Sequence, residues 1–444
     1  MNHRKTLFQL TWPTYIEFSF LMLMMISDTV MLSQYSDASV AAVGNANRIV
    51  FLLTVIINII AIGVGVVVSQ YIGAKKDADS QKALFAGLVG GLLTSIVIAF
   101  LLQISANLLL GWINTPAVIY RDALSYLRIV GIGIIFVSLS QTSGAGFRSF
   151  GFPKRVMVAG ALGNILNIIL NFFLIFGFWI SPELGVTGAA IATLSARIFT
   201  AALLFANLLK EKIIAIRMTL NELIYYLKDI FKIGFPSALE QFIYQVSEFF
   251  ILIMVNSIGT LAVTTQVYVF NLTLPVLVFA VALSQGNQVI VGWHIGAYED
   301  NEAYKRTVRS MLIGIVTVVI ISTTVYLNAQ WILRIFTSNP EIIETGKNVL
   351  LVFIFLEMGR LSNILVIQAL RATGDVKYPV YAALLSMFGI KVPLAYYLVF
   401  IQDIGLIGIF IAIAADEIAR GIFVFIRWTK RPWLKKARIV SKSI

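Results

Sequence analysis

Long apolar segments recur along the whole chain, each close to the ~20 residues that a helix needs to cross a bilayer core. Lipid offers no hydrogen-bond partners, so a spanning segment must satisfy its own backbone, as only helices and closed barrels do. These segments are continuously apolar, whereas barrel strands alternate and are about 10 residues long. They predict an all-α integral membrane fold with about twelve transmembrane helices. The predicted spans are 13–34, 49–70, 83–111, 123–146, 156–178, 186–209, 230–255, 269–291, 310–330, 348–370, 379–400 and 405–426.

Composition supports a membrane protein. Only 13% of the residues are charged and 59% are apolar, whereas a soluble chain is about 25% charged. The chain has no cysteine, and its two histidines are His3 and His294, which excludes thiolate sites, disulfides and multi-histidine metal centres. Residues 1–12 show no cleavable signal pattern, so the first helix is expected to be an uncleaved anchor.

The connections between the predicted spans are alternately rich and poor in lysine and arginine. Twenty-five lie on the side of the N-terminus and four, namely Arg48, Arg121, Arg334 and Lys347, lie on the other. Cytoplasmic loops are the ones enriched in these residues, so both termini are expected in the cytoplasm, with the chain in the plasma membrane. The net charge of +12 is thus explained by topology and by contact with anionic lipid, and no nucleic-acid partner is expected.

An internal repeat is visible at a spacing of 223 residues. Four ordered sets of matches at this or nearly this spacing are hard to attribute to apolar composition. The matches are Pro13 and Glu17 with Pro236 and Glu240; Ile72, Gly73, Ala74 and Asp77 with Ile295, Gly296, Ala297 and Asp300; Arg148 and Gly151 with Arg371 and Gly374; and, at 220, Gly185, Gly188, Ile191 and Ala192 with Gly405, Gly408, Ile411 and Ala412.

The repeat predicts two pseudo-symmetric lobes of six helices each. An even number of spans between equivalent points makes the halves parallel repeats, an arrangement found in transporters that alternate access to a central site. The predicted organisation is an N-terminal lobe (1–209), a cytoplasmic linker (210–228), a C-terminal lobe (229–427) and a basic cytoplasmic tail (428–444).

Several local motifs resemble the multidrug and toxic compound extrusion (MATE) family, and the resemblance covers essentially the whole chain. The motifs are Pro13 with Asp28, VVSQYIGA at 67–74, GNILNIILN at 163–171, GAAIAT at 188–193 and LRATGDVKYP at 370–379. The resemblance implies a secondary active exporter that exchanges H⁺ or Na⁺ for amphipathic organic cations. It implies no enzyme activity and no cofactor; the chain also lacks a phosphate-binding G-x-x-x-x-G-K-[ST] loop. We expect it to act as a monomer.

Asp28 is the principal candidate for coupling. A carboxylate at the centre of a membrane helix costs ~2.5–3.5 kcal/mol on insertion scales, so such residues face a cavity and need a partner. Asn167 and Asn171 lie four apart and share a helix face. The resemblance assigns these residues and Thr193 to the coupling-ion site, although many relatives have a second acid where this chain has Asn171. The alternative for both asparagines is that they join helices through hydrogen bonds.

Helix 1 and helix 7 carry further polar candidates. Pro13 can free a backbone carbonyl and bend helix 1, or it can be a proline tolerated near a helix start. Glu17, one turn on, is placed at the cytoplasmic mouth. On helix 7, Glu240 and Glu248 are eight apart with Tyr244 between them on one face, as candidates for substrate contact or secondary coupling.

Glu357 and Arg360 form one face of helix 10 together with Asn363. They are candidates for substrate contact, or for a structural ion pair that neutralises itself inside the membrane. Lys391, on helix 11, is expected to supply or receive such a pair, as are Asp416, Glu417 and Arg420 on helix 12.

Three other functions stay open at this point. A flippase of lipid-linked precursors is the main alternative, because such proteins resemble the same superfamily; the intramembrane acids favour cations instead. An uptake carrier is the second, since direction cannot be deduced from sequence. A membrane enzyme is the third and is disfavoured, because the acids are scattered over different helices.

Overall fold

A computed structural model describes residues 5–177 and 182–436, and these residues form helices joined by short connections, without a β-strand. The helices are α1 (Leu7–Tyr35), α2 (Asp37–Gly73), α3 (Asp77–Trp112), α4 (Ala117–Ile132), α5 (Ile134–Ser149), α6 (Pro153–Phe176), α7 (Gly185–Lys210), α8 (Leu220–Ile258), α9 (Thr260–Gly296), α10 (Asp300–Leu327), α11 (Ala329–Phe336), α12 (Pro340–Ala372), α13 (Lys377–Ser386), α14 (Val392–Tyr396) and α15 (Leu406–Thr429). His3 and residues 437–444 of the predicted tail lie outside the described residues, as does residue 178 of the fifth predicted span.

The predicted all-α membrane fold is confirmed, with a helix or helix pair at each predicted span. Within residues 5–177 and 182–436, ten helical segments are long and apolar enough to cross a bilayer, and the pair α4–α5, bent by 42°, makes eleven. The last predicted span is the 24-residue helix α15, which carries the charged residues Asp416, Glu417 and Arg420. All three are buried, so their charges do not face lipid.

The predicted span 379–400 is not a uniform α-helix. It consists of α13, a wide π turn at Met387–Lys391, α14 and a second π turn at Tyr397–Ile401. Pro393 is near the start of α14 and has no N–H to donate, which explains why the regular hydrogen-bond ladder is interrupted here.

The chain forms two compact units. Among the described residues, the first unit comprises residues 5, 12–72 and 76–234, and the second comprises 6–11, 73–75 and 235–436. Backbone geometry follows the repeat. Lys75 and Tyr298, which are 223 apart, both have positive φ (58° and 63°), and Gly151 and Gly374 both have φ of 80°.

Part of the predicted linker 210–228 is helical, because α8 begins at Leu220. Thr219 and Glu222 form a capping box: the Thr219 N–H donates to Glu222 Oε2 (2.8 Å), and the Glu222 N–H donates to Thr219 Oγ1 (3.3 Å). Such a box satisfies two backbone donors at a helix start. The new helix is attached to α3, since Lys82 Nζ lies 2.6 Å from Glu222 Oε1.

The described part of the predicted tail is folded onto the second unit. Trp433 is fully buried and stacks on Trp428 with ring centroids 4.6 Å apart. Lys436 Nζ and Arg427 Nε both donate to the buried carboxylate of Asp375, at 2.7 and 2.8 Å. Arg427 and Lys436 therefore have a protein partner in Asp375, and contact of the basic tail with anionic lipid stays a prediction.

Close helix packing in the first unit depends on small residues. A Cβ at Gly188 on α7 would collide with the backbone carbonyl of Leu174 on α6. We expect Gly188→Ala to destabilise the protein by about 1–3 kcal/mol, the usual cost of overpacking. A thermal melt of the purified protein measures this.

Gly44→Ala is the matched control, because a Cβ at Gly44 on α2 would meet no atom within 4 Å. It should leave the melting temperature unchanged or raise it, since alanine has the higher helix propensity. Equal losses for the two variants would contradict the packing explanation.

Candidate functional site

A polar cluster lies inside the first unit and is centred on Asp28 of α1. Asn171 Nδ2 on α6 donates to Asp28 Oδ1 at 2.6 Å and to Asn167 Oδ1 at 3.2 Å. Both asparagines are buried, and Asp28 is partly buried. The structure therefore brings together the acid and the two amides that the sequence placed on separate helices.

Thr193 joins the cluster through residues that the sequence reasoning missed. Its side chain interacts with that of Tyr126, which also interacts with Asn47. Arg197, one turn after Thr193 on α7, donates to the Val130 carbonyl at 3.1 Å and interacts electrostatically with Asp28. As an intramembrane cation, Arg197 satisfied the same criterion that had identified Asp28.

The cluster could bind a coupling ion in two ways, as a proton on a carboxyl group or as a metal cation among oxygens. The Asp28 carboxyl can take up and release a proton. Asn171 Oδ1 is buried without a hydrogen-bond partner, and together with the oxygens of Asp28, Asn167 and Thr193 it could contribute to an oxygen shell of the kind that hard cations prefer.

Two ion pairs repeat at equivalent places in the two units. In the first, Arg148 Nη1 lies 3.1 Å from Glu17 Oε2; in the second, Arg371 pairs with Glu240. Each pair joins residues 131 apart, and the pairs are related by the spacing of 223. Glu17, placed at the cytoplasmic mouth by the sequence, is thus held by a guanidinium in a partly buried pair.

The two pairs differ in burial, which gives a matched comparison. Side chains of the Glu240–Arg371 pair are 10% and 5% exposed, against 18% for both in the Glu17–Arg148 pair. Breaking a buried pair by removing one partner costs about 3–5 kcal/mol. We expect the loss for Arg371→Gln to be about 3 kcal/mol and the loss for Arg148→Gln to be smaller. Unfolding titrations of both variants measure the difference.

Adding the matching carboxylate substitution, Glu240→Gln or Glu17→Gln, should recover most of the lost stability in each unit. A double variant that is less stable than either single one would contradict this explanation of the two pairs.

A denser charge network lies in the second unit, between α12 and α15. Glu357 and Arg360 pair, as the helix face suggested, and Arg360 Nε is also 3.7 Å from Glu417 Oε1. Arg420 Nη2 lies 2.9 Å from both Asp416 Oδ2 and Glu417 Oε1. Asn363 Nδ2 donates to Glu417 Oε2 at 2.9 Å.

Two acidic residues of helix α8 have different basic partners. Glu240 pairs with Arg371, whereas Glu248 pairs with Lys391 of the π turn. The Tyr244 ring lies next to Lys391, with 5.1 Å from Nζ to the ring centroid. Tyr244 and Glu248 therefore share Lys391, whereas Glu240 has a separate partner.

Pro13 lies at the seventh position of α1, inside the helix. It lies beyond the first turn, in which a proline costs no helical hydrogen bond. With no N–H at Pro13, the carbonyl of Gln9 has no partner four residues on. The bend that one sequence interpretation assigns to Pro13 stays a prediction.

Comparison with known proteins places this architecture in a family. The family model MatE matches residues 13–173 and 236–397, one match in each half. The uncharacterized transporter YisQ of Bacillus subtilis is 37% identical over 97% of this chain and 95% of its own length. The probable multidrug resistance protein NorM of Thermotoga maritima is 26% identical over 99% and 95%.

Solved structures share the fold. A MATE transporter in the bent conformation superimposes with a TM-score of 0.88 at 19% identity, over 97% of this chain and 96% of the other. A MOP superfamily transporter from Pyrococcus furiosus, described as having a binding pocket of reverse polarity, gives 0.86 at 20% identity, over 96% and 95%. Since the family model covers most of both halves, this multi-pass membrane protein belongs to the MATE family of multidrug transporters.

Proposed function

We propose that the protein is a cation-coupled antiporter that exports amphipathic organic cations, with Asp28 as the coupling carboxylate. The hydrogen bond from Asn171 Nδ2 to Asp28 at 2.6 Å is the main support. It places a carboxylate inside the first unit with a neutral amide as its direct partner, and such a hydrogen bond can break when an ion binds. Binding of an ion at Asp28 and binding of a substrate cation would then alternate in the transport cycle.

The single carboxylate favours protons over sodium. Asp28 has an amide donor, and not a second acid, as its direct partner, and the charge of Arg197 is nearby. Protonation needs no ligand shell, whereas sodium would have to be held by one carboxylate and neutral oxygens beside that positive charge.

The substrate and setting follow from the family and from the charge pattern. Relatives named multidrug resistance proteins support small-molecule export, and the intramembrane acids support cationic substrates. We infer that the protein works as a monomer in the plasma membrane with both termini cytoplasmic, and that it catalyses no chemical reaction and needs no cofactor.

Transport of ethidium in proteoliposomes tests the proposal. A proton gradient and a sodium gradient would be imposed separately, with the membrane potential clamped and protein-free liposomes as the control. Saturable ethidium movement that requires the proton gradient is the expected result. A requirement for sodium alone would keep the antiporter and reverse the choice of ion.

Other outcomes would replace the proposal. Ethidium flux that neither saturates nor depends on a gradient would indicate a channel. Failure to move any of several organic cations, together with transfer of a fluorescent lipid-linked sugar between leaflets, would establish the flippase instead.

A further inference from the structure

The side chain of Lys391 lies in the interior of the second unit and has three side-chain partners there. This residue ends the π turn Met387–Lys391, and its side chain is fully buried. Its ammonium pairs with Glu248, donates to Ser247 Oγ at 3.2 Å, and lies 5.1 Å from the centroid of the Tyr244 ring. All three partners come from consecutive turns of α8, so one helix face forms the site.

The surroundings of Lys391 are those that recognise an amine. A carboxylate supplies a charge-assisted hydrogen bond, and an aromatic ring attracts a cation through its quadrupole, more strongly when water is excluded. Burying a lysine in a membrane is otherwise expensive. Single π turns inside helices are rare and are frequent at functional sites; here the turn carries the lysine.

Carboxylates outnumber basic groups around this site, which favours the binding of a cation. There are four carboxylates and three basic groups, and removal of Lys391 would leave two basic groups. The carboxylates are Glu248, Glu357, Asp416 and Glu417, and the basic groups are Lys391, Arg360 and Arg420. Asp416 and Glu417 also interact electrostatically with Lys391.

Buried acceptors nearby are incompletely used. Glu357 Oε2 and Asp416 Oδ1 are both buried without a hydrogen-bond partner. Glu248, in contrast, is 33% exposed in its side chain. The carboxylate of the site is therefore not fully enclosed by the protein, whereas the lysine is.

We propose that Glu248, Tyr244 and Ser247 form an ammonium-binding site that the chain fills with its own Lys391. The second unit then carries a resident cation where an exchangeable one could bind. The ligand class of the vacated site is a small primary ammonium ion. This inference depends on contacts within the second unit, and it holds whether or not Asp28 couples transport.

Chemical rescue of Lys391→Ala tests the proposal without any transport assay. The substitution removes the atoms of n-propylammonium, which is therefore the probe. The melting temperature of the purified variant should be lower than that of the wild type. It should rise by about 2–4 °C, saturably, as n-propylammonium is added. The wild type should not respond.

Three controls separate an ammonium site from a merely filled cavity and from a metal-ion site. Lys377→Ala removes an exposed lysine at the start of α13 and should show neither the loss nor the rescue. Sodium chloride at equal ionic strength and 1-propanol should not rescue Lys391→Ala. Equal rescue by 1-propanol would overturn the proposal in favour of simple cavity filling, and equal rescue by sodium would overturn it in favour of a metal-ion site.

A second variant keeps the proposal testable if Lys391→Ala does not fold. Lys391→Met fills much of the same volume without the charge, and it leaves Glu248 without its partner. Adding Glu248→Gln should then restore part of the lost melting temperature, because the unpaired carboxylate is gone. Additive losses in this double-mutant cycle would overturn the proposal.

Discussion

Asp28→Asn is expected to reduce gradient-driven ethidium transport to the rate of protein-free liposomes. An asparagine cannot take up or release a proton, and it brings no charge to a bound cation. The fold should be retained, since the asparagine Oδ1 can accept the hydrogen bond that Asn171 Nδ2 now donates to Asp28 at 2.6 Å. Proteoliposome transport, with the melting temperature measured in parallel, tests both parts.

Asp37→Asn is the matched control for this substitution. Asp37 is an exposed acid at the start of α2, and its neutralisation should leave transport unchanged. Full transport in Asp28→Asn would remove the first unit from coupling and direct attention to Glu357 or Glu240. A simultaneous collapse of the melting temperature would show a structural role for Asp28.

Arg420→Met is expected to be the most destabilising of the substitutions considered, at about 5 kcal/mol, the upper end of the range for breaking a buried ion pair. One guanidinium holds two buried carboxylates here, Asp416 and Glu417, each at 2.9 Å. Methionine fills part of the space and leaves both acids without that partner. Glu417 keeps the hydrogen bond from Asn363 Nδ2 and the more distant guanidinium of Arg360, at 3.7 Å.

Unfolding in a denaturing detergent measures this loss, and two further variants test its cause. Arg334→Met removes an exposed arginine of α11 and should change stability by less than about 0.5 kcal/mol. Combining Arg420→Met with Asp416→Asn and Glu417→Gln should recover most of the stability, because no charge is then left unpaired. No recovery in the triple variant would show that packing of the arginine, and not its charge, is what stabilises the helices.

The helices could be predicted because helix formation depends on local sequence. The repeat could be predicted because the same residues recur in the two halves of the chain. Apolar runs near 20 residues must become helices in lipid, and the spacing of 223 reappears in the positive φ of Gly151 and Gly374. Asn167 and Asn171 were assigned to the site of Asp28 through the motif GNILNIILN, and the structure brings all three together.

One local feature was present in the sequence and was overlooked. Thr219 and Glu222 are spaced as a capping box, which signals the helix start at Leu220 inside the predicted linker 210–228. The helical segment that follows is attached through Glu222 to Lys82, a contact between residues 140 apart that no local pattern specifies.

By itself, the sequence determined the all-helical membrane fold, the internal repeat and the polar residues that must avoid lipid. Only the tertiary structure decided which of those residues meet. Glu240 and Glu248 share a helix face, yet one pairs with Arg371 and the other with Lys391. The physical reason is that helix formation in a membrane depends on each segment's own backbone and apolarity, whereas the partner of a buried charge depends on how distant helices pack.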